Sequence, residues 1–373
     1  MIPYGRQSIN ADDITAVVHA LNGDFLTTGP LVEHFENEIE KIAGAPCAVV
    51  SSGTAALHCA YAAIGVESGD EIITPPITFI ATQATAALLG AKIIFADIQL
   101  DTGNIDPKAV EAAITSRTKA IVAVDYAGLP ADLDELRTIA DKYGIYLIED
   151  ASHSIGSMYK NRPVGSIADI TTFSFFPTKN LTTAEGGAIS SIHPELLLKA
   201  RRFSRQGLIR NRDEFKIKKE GAWHQEVHQF GLNYRLPDVL CALGISQIKR
   251  LSEFKFRRSE IFDQYNKAFK DLSGLTTPGT RDYTSPMWHL YHIHVAPEIR
   301  ENLFNYLRSF DIAVQVNYIP AYNHPVFSLA QKHSDQCLNS EIFYKSEISL
   351  PMFYELSDQQ LSKIIDVVSN FFR

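Results

Sequence analysis

The stretch FSFFPTKNLTTAEGGA, residues 173–188, places one lysine between an aromatic, β-like run and a loop of small residues and glycines. On a protein surface, Lys179 would be a solvated charge beside a turn. Within a buried α/β framework it would be an amine nucleophile, which works only without its proton and therefore needs burial or a neighbouring positive charge to lower its pKa. The pattern of the remaining residues favours the amine nucleophile over the solvated surface charge.

Short runs of β-branched or aromatic residues alternate with helical patterns through about the first 235 residues. Helix signals lie between several of these runs, such as the start at Asp106-Pro107 and the stop at Gly144. The alternation predicts an α/β fold with a large, mostly parallel, seven-stranded type of sheet and helices on both faces. In such a sheet, ligands bind at the carboxyl ends of the strands. The predicted strands are 47–50, 71–73, 93–95, 121–124, 146–148 and 170–175.

After Arg235 this alternation fades, and two long helical patterns lead into a segment of mixed strands and helices. The chain has 373 residues, which favours two domains. We predict a large domain at 1–240, which includes the N-terminal segment, and a smaller C-terminal α/β domain at 241–373.

The composition excludes several classes of protein. Hydrophobic residues make up 45% and charged residues 21% of the chain, as in an ordinary globular protein, and the net charge of −8 argues against binding to a nucleic-acid backbone. The four cysteines form no CxxC pair, and His289, His292 and His294 do not share one strand face, so we predict no metal site. The sequence shows neither a signal-peptide pattern nor a membrane-length apolar run, so we predict a cytoplasmic protein.

Three further stretches carry side chains suited to a phosphorylated, electron-withdrawing ring. In VVSSGTAAL, residues 49–57, a strand meets a helix start, where backbone N–H groups and the Thr54 hydroxyl would hold an anion; ordinary capping is the alternative. In PPITFIAT, residues 75–82, Phe79 could stack on a flat ring or lie in the core.

The third stretch is IYLIEDASHSIGS, residues 145–157, in which an apolar strand ends on a carboxylate. Asp150 at a buried strand end needs a cationic partner, such as a protonated pyridine nitrogen, although a structural ion pair is the alternative. His153 follows and could equally be a core histidine. A phosphate cradle, an aromatic, a carboxylate and a lysine at successive strand ends together indicate a cofactor site.

The sequence resembles the DegT-type sugar aminotransferases, which are pyridoxal 5'-phosphate (PLP) enzymes of the aspartate aminotransferase fold. The forms VDYAG and TTAEGGA are most similar to the branch that aminates a UDP-linked 4-keto-6-deoxy-N-acetylhexose on the way to pseudaminic acid. The resemblance extends over the whole chain and rests on LTTGPLVEHFE, SSGTAAL, TPPITFIAT, VDYAG, EDASHSIGS, FSFFPTKNLTTAEGGA, GLNYRLPD and SLP.

The resemblance implies a role for each matching residue. Lys179 would be the Schiff-base lysine and the proton-transfer base, Asp150 the partner of the pyridine nitrogen, and His153 a contact of the ring hydroxyl. Phe79 would stack on the ring. The phosphate would be held by Gly53, Thr54 and Ser174.

The resemblance also implies a homodimer whose sites are completed across the interface. Asn233, from GLNYR, would reach the phosphate of the neighbouring subunit. L-Glutamate would be the amino donor and a nucleotide-linked keto sugar the acceptor. The candidate substrate-binding residues are Thr28, Tyr318 and Tyr322, although packing of the domain junction is the alternative for the two tyrosines.

Two departures from the family pattern leave the identity of the sugar open. Asn317 and Gln206 stand where relatives carry histidine, and an amide does not titrate near neutral pH. Bacillosamine-type or dTDP-linked sugars are alternative acceptors. A non-catalytic PLP-binding regulatory protein is an alternative of another class, although it would be expected to lack the lysine and aspartate pair. A sugar dehydratase would carry histidine in place of Lys179, and a nicotinamide enzyme would show G-x-G-x-x-G.

Overall fold

The central element of the fold is a seven-stranded sheet in the N-terminal part of the chain. The structure of the protein is a computed structural model that describes residues 1–217, 221–327 and 334–373. The strands follow the spatial order β1 (Cys47–Val50), β9 (Gly187–Ser190), β8 (Ile170–Ser174), β5 (Tyr146–Asp150), β4 (Thr118–Val124), β2 (Glu71–Thr74) and β3 (Lys92–Phe95). Only β9 runs antiparallel to the other strands of this sheet. The predicted α/β class with a large, mostly parallel sheet is therefore confirmed.

Helices connect and cover the strands. In chain order they are α1 (Ala11–Leu21), α2 (Pro30–Ala43), α3 (Gly53–Ala63), α4 (Ala81–Leu88), α5 (Pro107–Ala113), α6 (Leu133–Tyr143), α7 (Pro194–Phe203), α8 (Asp238–Ile248), α9 (Leu251–Phe269), α10 (Pro297–Ser309), α11 (Leu338–Ser346) and α12 (Asp358–Phe371). Short 3-10 helices lie at Tyr126–Gly128, Arg212–Glu214 and Ala321–Asn323. Among the residues described, no helix is long and apolar enough to cross a membrane.

Local sequence signals set the ends of the first two helices. The Asn10 side chain accepts a hydrogen bond from the Asp13 backbone N–H, and the Asp13 carboxylate accepts one from the Asn10 N–H, each at 3.0 Å. This capping box satisfies two amides at the start of α1. Pro30 begins α2, and Gly44 ends it with a left-handed φ of 71°, a conformation that glycine adopts without strain.

The helix that leads into the candidate site is almost completely buried. Helix α3 carries many alanines, and small side chains allow a helix to approach a sheet closely. Within it, Cys59 and Tyr61 are fully buried between the sheet and the neighbouring helices. Because only Ser51 and Ser52 separate β1 from α3, the start of the helix lies at the carboxyl edge of the sheet.

A second core lies in the C-terminal part of the chain, around a three-stranded sheet. There the Phe262 and Trp288 rings stack with centroids 3.7 Å apart. Ile2 belongs to this core and bridges to Ile312, so the first residues of the chain pack with the C-terminal part. The division at residues 240 and 241 stays a prediction. This sheet has the order β12 (Leu275–Thr276), β14 (Tyr291–Val295), β15 (Glu347–Leu350).

The remaining strands are short and lie beside the main sheet. They form a three-stranded sheet of β13 (Thr284–Ser285), β6 (Met158–Tyr159) and β7 (Arg162–Pro163), and a pair of β10 (Leu208–Ile209) with β11 (Glu226–Val227). Since β13 pairs with β6, the chain returns to the large sheet region between β12 and β14 of the C-terminal sheet.

Candidate active site

A cavity of about 490 Å³ lies where the strands of the main sheet end. Asp150 is the last residue of β5 and Ser174 the last residue of β8, and both side chains line the cavity. Lys179 lines it from the loop after β8. The other lining residues are Tyr4, Ser52, Gly53, Thr54, Leu57, Thr78, Phe79, Ala81, Thr82, Val124, Ser152, His153, Phe176, Thr178, Glu185, His289, Leu290, Asn317 and Tyr318.

Lys179 is a half-buried amine held by an ordered loop. Its backbone N–H donates to the Phe176 carbonyl at 2.9 Å, and the neighbouring Asn180 amide donates to the carbonyls of His153 and Met287 at 2.8 and 3.1 Å. Burial lowers the pKa of Lys179 from 10.5 to about 8, although the Asp150 carboxylate acts in the opposite direction. This environment favours the nucleophile over the solvated surface charge.

Asp150 is 4% exposed and receives three hydrogen bonds. The Thr82 hydroxyl donates to its Oδ2 at 2.8 Å, while the Ser152 hydroxyl and backbone N–H donate to Oδ1 at 2.6 and 3.2 Å. In the described part of the chain, Asp150 forms no ion pair. The geometry therefore disfavours the structural ion pair and leaves the carboxylate available for a cationic ligand in the cavity.

His153 is a buried, neutral imidazole. Its Nε2 lies 3.3 Å from the Tyr318 hydroxyl, and its ring centroid lies 4.3 Å from that of His289. Burial, with a smaller contribution from the Lys179 amine, holds the pKa of His153 well below its usual value. The buried Nδ1 has no hydrogen-bond partner among the residues described. A polar group of a ligand in the cavity would satisfy this nitrogen.

The start of α3 and the end of β8 approach each other closely. A Cβ on Gly53 would lie 2.7 Å from the Ser174 Cβ, so glycine permits this contact. The Ser52 hydroxyl accepts from the Ala55 N–H at 3.0 Å, which shows that Ser52 caps the helix. The exposed Thr54 side chain lines the cavity beside the remaining amides of the first turn. These amides and the helix dipole make the position suitable for a phosphate.

Phe79 is 59% exposed although it lines the cavity, and its ring centroid lies 6.3 Å from that of Tyr318. This exposure is incompatible with the alternative of a core residue. An aromatic face open to a cavity is suited to stacking on a flat ligand.

Three of the predicted site residues do not line this cavity. Thr28 lines a separate cavity of about 370 Å³ together with Arg235. Asn233 is exposed. Tyr322 is fully buried in a core cluster, where its hydroxyl donates to Glu341 at 2.8 Å, so this chain does not bring Tyr322 to Lys179.

Sequence reasoning missed several residues of the cavity. Thr82 lies in the first turn of α4 and Thr78 in the loop before that helix, and their hydroxyls lie 3.0 Å apart. His289 lies two residues before β14 and lines the cavity. Tyr4 carried no local signal, and Asn317 was singled out only as a departure from the family pattern, because contacts between distant segments bring both to the cavity. Within the described ranges, no cluster of His, Cys, Asp and Glu is suited to hold a metal ion.

Comparison with known proteins identifies the family of this chain. Residues 7–369 match the profile of the DegT/DnrJ/EryC1/StrS aminotransferase family. The chain belongs to this family. A relative from Campylobacter jejuni serotype O:23/36, named UDP-4-amino-4,6-dideoxy-N-acetyl-beta-L-altrosamine transaminase, is 40% identical over 96% of this chain and 94% of its own length.

Solved structures share the fold. Helicobacter pylori PseC, described as an aminotransferase involved in the biosynthesis of pseudoaminic acid, is 32% identical, with a TM-score of 0.91 over 100% of this chain and 99% of its own. The PLP form of a putative sugar aminotransferase from Streptococcus pneumoniae is 28% identical, with a TM-score of 0.92 over 100% of this chain and 99% of its own. The aspartate aminotransferase-like fold is therefore confirmed.

The family assignment makes the protein a PLP-dependent aminotransferase. The residues of the cavity fit this cofactor. Four features of the described residues each suit a different part of a phosphorylated pyridine ring. They are the Lys179 amine with a lowered pKa, the Asp150 carboxylate without an ion pair, the unpartnered His153 nitrogen and the close approach of Gly53 at a helix start.

Proposed function

We propose that this protein transfers the amino group of L-glutamate to C4 of a UDP-linked 4-keto-6-deoxy-N-acetylhexose. The product would be a 4-amino sugar for pseudaminic acid or a related surface glycan. The observation that carries the chemistry is that Lys179 and Asp150 line one cavity, the amine with a lowered pKa and the carboxylate with three hydrogen-bond donors. The names of the Campylobacter jejuni and Helicobacter pylori relatives support the choice of sugar.

In this proposal, each side chain at the cavity holds one part of the cofactor. Asp150 would hold the positive charge of the ring nitrogen, and the unpartnered Nδ1 side of His153 would face a polar ring substituent. Phe79 would stack on the ring, and Gly53, Thr54 and Ser174 would hold the phosphate at the start of α3. The amine of Lys179 would bond to the cofactor aldehyde.

PLP, when bound, supplies an aldehyde and a ring that accepts electrons. The residues of the chain supply orientation and proton transfer. Because burial lowers the pKa of Lys179 from 10.5 to about 8, about a tenth of this amine is unprotonated at pH 7, several hundred times more than at its ordinary pKa, and the unprotonated Nζ can accept the α proton of the amino donor. Thr82 and Ser152 keep the Asp150 carboxylate in a fixed orientation. Tyr318, beside His153 and Phe79, would contact the sugar.

We also propose that the active protein is a cytoplasmic homodimer, with domains at 1–240 and 241–373. Asn233 and Thr28 are exposed outside the Lys179 cavity, which supports a role in the site of a neighbouring subunit, with Asn233 at the phosphate and Thr28 at the substrate. Tyr322 has no supporting geometry, since it is buried in the core.

The test is a screen of purified protein against UDP- and dTDP-linked 4-keto sugars with glutamate, in which product mass is measured. We expect amination of the UDP-linked N-acetyl sugar and no turnover by Lys179→Ala. Lys199→Ala, an exposed lysine on α7, is the matched control and should behave as wild type. Wild-type activity in Lys179→Ala would refute the mechanism. Amination of only dTDP-linked sugars would refute the substrate, and amination of none would favour the regulatory alternative.

A further inference from the structure

Asn317 is a cavity-lining residue with an unusually complete set of hydrogen bonds. Its backbone N–H donates to Glu347 Oε2 at 2.8 Å, and its carbonyl accepts from the Tyr126 hydroxyl at 2.5 Å. Its side-chain Nδ2 donates to the Tyr4 hydroxyl at 2.5 Å and to Ser349 Oγ at 3.1 Å. The residue therefore has one fixed orientation against the wall of the cavity.

The hydrogen bonds of the neighbouring hydroxyl agree with this orientation of the amide. Ser349 and Glu347 are fully buried, and the Ser349 hydroxyl donates to Glu347 Oε1. In this arrangement the Ser349 oxygen accepts the hydrogen bond that Asn317 Nδ2 donates. With both hydrogens of Nδ2 committed to Ser349 and Tyr4, the side-chain oxygen remains.

This oxygen is an acceptor without a donor. In the three described ranges, no group donates a hydrogen bond to Asn317 Oδ1, and the residue lines the same cavity as Lys179. The predicted cofactor residues Gly53, Asp150 and Ser174 belong to the main sheet or to the helix that follows β1. Other parts of the chain line the cavity with Asn317, Tyr4 and Tyr318. An amino acceptor bound between these residues and the predicted cofactor residues would therefore contact Oδ1 of Asn317.

We propose that Asn317 is a specificity-determining residue that accepts, through Oδ1, a hydrogen bond from a hydroxyl or amide N–H of the sugar. This inference rests on the proposed function, because it assumes that a nucleotide-linked sugar is the acceptor. An acceptor fixed by its own hydrogen bonds discriminates strongly, since a ligand without the matching donor leaves it unpaired.

The experiment compares the two half-reactions of the holoenzyme in Asn317→Ala. We expect kcat/KM for the keto sugar aminated by the wild type to fall about tenfold, the effect of one hydrogen bond. The glutamate half-reaction should stay within about twofold. Calorimetry gives a second readout: the dissociation constant of the 4-amino sugar nucleotide should rise about tenfold, and that of UDP alone should not change.

Two further variants separate recognition from positioning. Ser349→Ala removes a partner that holds the amide but does not line the cavity, so we expect a smaller loss for the sugar, about two- to fivefold. Gln315 pairs with Ser349 through its backbone, but its side chain is exposed. Gln315→Ala should therefore match the wild type in both half-reactions.

The outcomes distinguish this inference from the proposed function. An equal fall of both half-reactions in Asn317→Ala would show that the residue only positions Tyr318, and an unchanged sugar affinity would show no contact; either result overturns the inference. A wild-type protein that reacts with neither glutamate nor any keto sugar would instead overturn the proposed function.

Discussion

Lys179 is placed where its charge is costly, and this predicts that its replacement stabilises the protein without cofactor. In Lys179→Met the side chain keeps its approximate length and apolar stem but loses the amine. Burial lowers the pKa of the folded-state amine to about 8 from its ordinary value of 10.5. The variant should therefore be more stable than the wild type at neutral pH, although it would be inactive.

The magnitude follows from the difference between these two pKa values. A shift of about 2.5 units corresponds to about 3.4 kcal/mol at 1.36 kcal/mol per unit. The unfolded chain holds this proton up to about pH 10.5, whereas the folded chain releases it near pH 8, so the destabilisation is complete below pH 8 and fades as pH rises to 10.5. At pH 10 about 0.8 kcal/mol should remain. Solvent in the cavity screens part of the charge, so these values are upper limits.

The assay is denaturant unfolding of the cofactor-free wild type and variant at pH 7 and pH 10, at equal protein concentrations, because association also contributes to stability. Lys199→Met is the control, since this exposed side chain loses no solvation on folding and should give the same difference at both pH values. A Lys179→Met variant that is no more stable than the wild type at pH 7, or whose advantage grows at pH 10, would refute the burial argument.

Two other predictions concern Asp150 and the dimer. Thr82→Val removes the hydroxyl that donates to Asp150 and should lower kcat about 5- to 30-fold. Thr85→Val is the control and should not lower kcat, because its hydroxyl bonds only to its own helix. Equal steady-state rates of the two variants would contradict the role of Thr82. Inactive Lys179→Ala and impaired Asn233→Ala chains refolded together should recover about a quarter of the wild-type activity, because half of the dimers would carry one intact site. Absence of recovery would argue against a shared site.

Local sequence signals predicted the main sheet well, because the information lies within each segment. The six predicted strands occur within one or two residues of their expected bounds, except β4, which begins at Thr118, three residues early. Strand β9, Gly187–Ser190, was not predicted. It is four residues long, begins at a glycine and runs antiparallel between β1 and β8, so its strand character comes from its two neighbours.

The residues of the candidate site also divide into those that local sequence signals predicted and those that only the structure places at the cavity. Asp150, Ser174 and Lys179 were found because each lies at or just after a strand end, where parallel topology brings side chains to one edge. Thr82 left no local signal, because Thr78, whose hydroxyl it contacts, lies outside its helix. Tyr4 also left none, and Asn317 was noted only as a departure from the family pattern, since both reach the cavity through contacts between segments more than 300 residues apart, such as the Asn317 amide on the Tyr4 hydroxyl.

The sequence by itself determined the fold class and the family and predicted the amine and carboxylate of the candidate site, because these depend on local periodicity and on residue types at fixed positions. Only the tertiary structure decided that Lys179 is desolvated, that Asp150 has no ion-pair partner among the residues described, and that Tyr322 lies in the core. The physical reason is that a pKa, an unpaired acceptor or a buried ring depends on the groups that surround an atom in space, and the order of residues along the chain does not contain those distances.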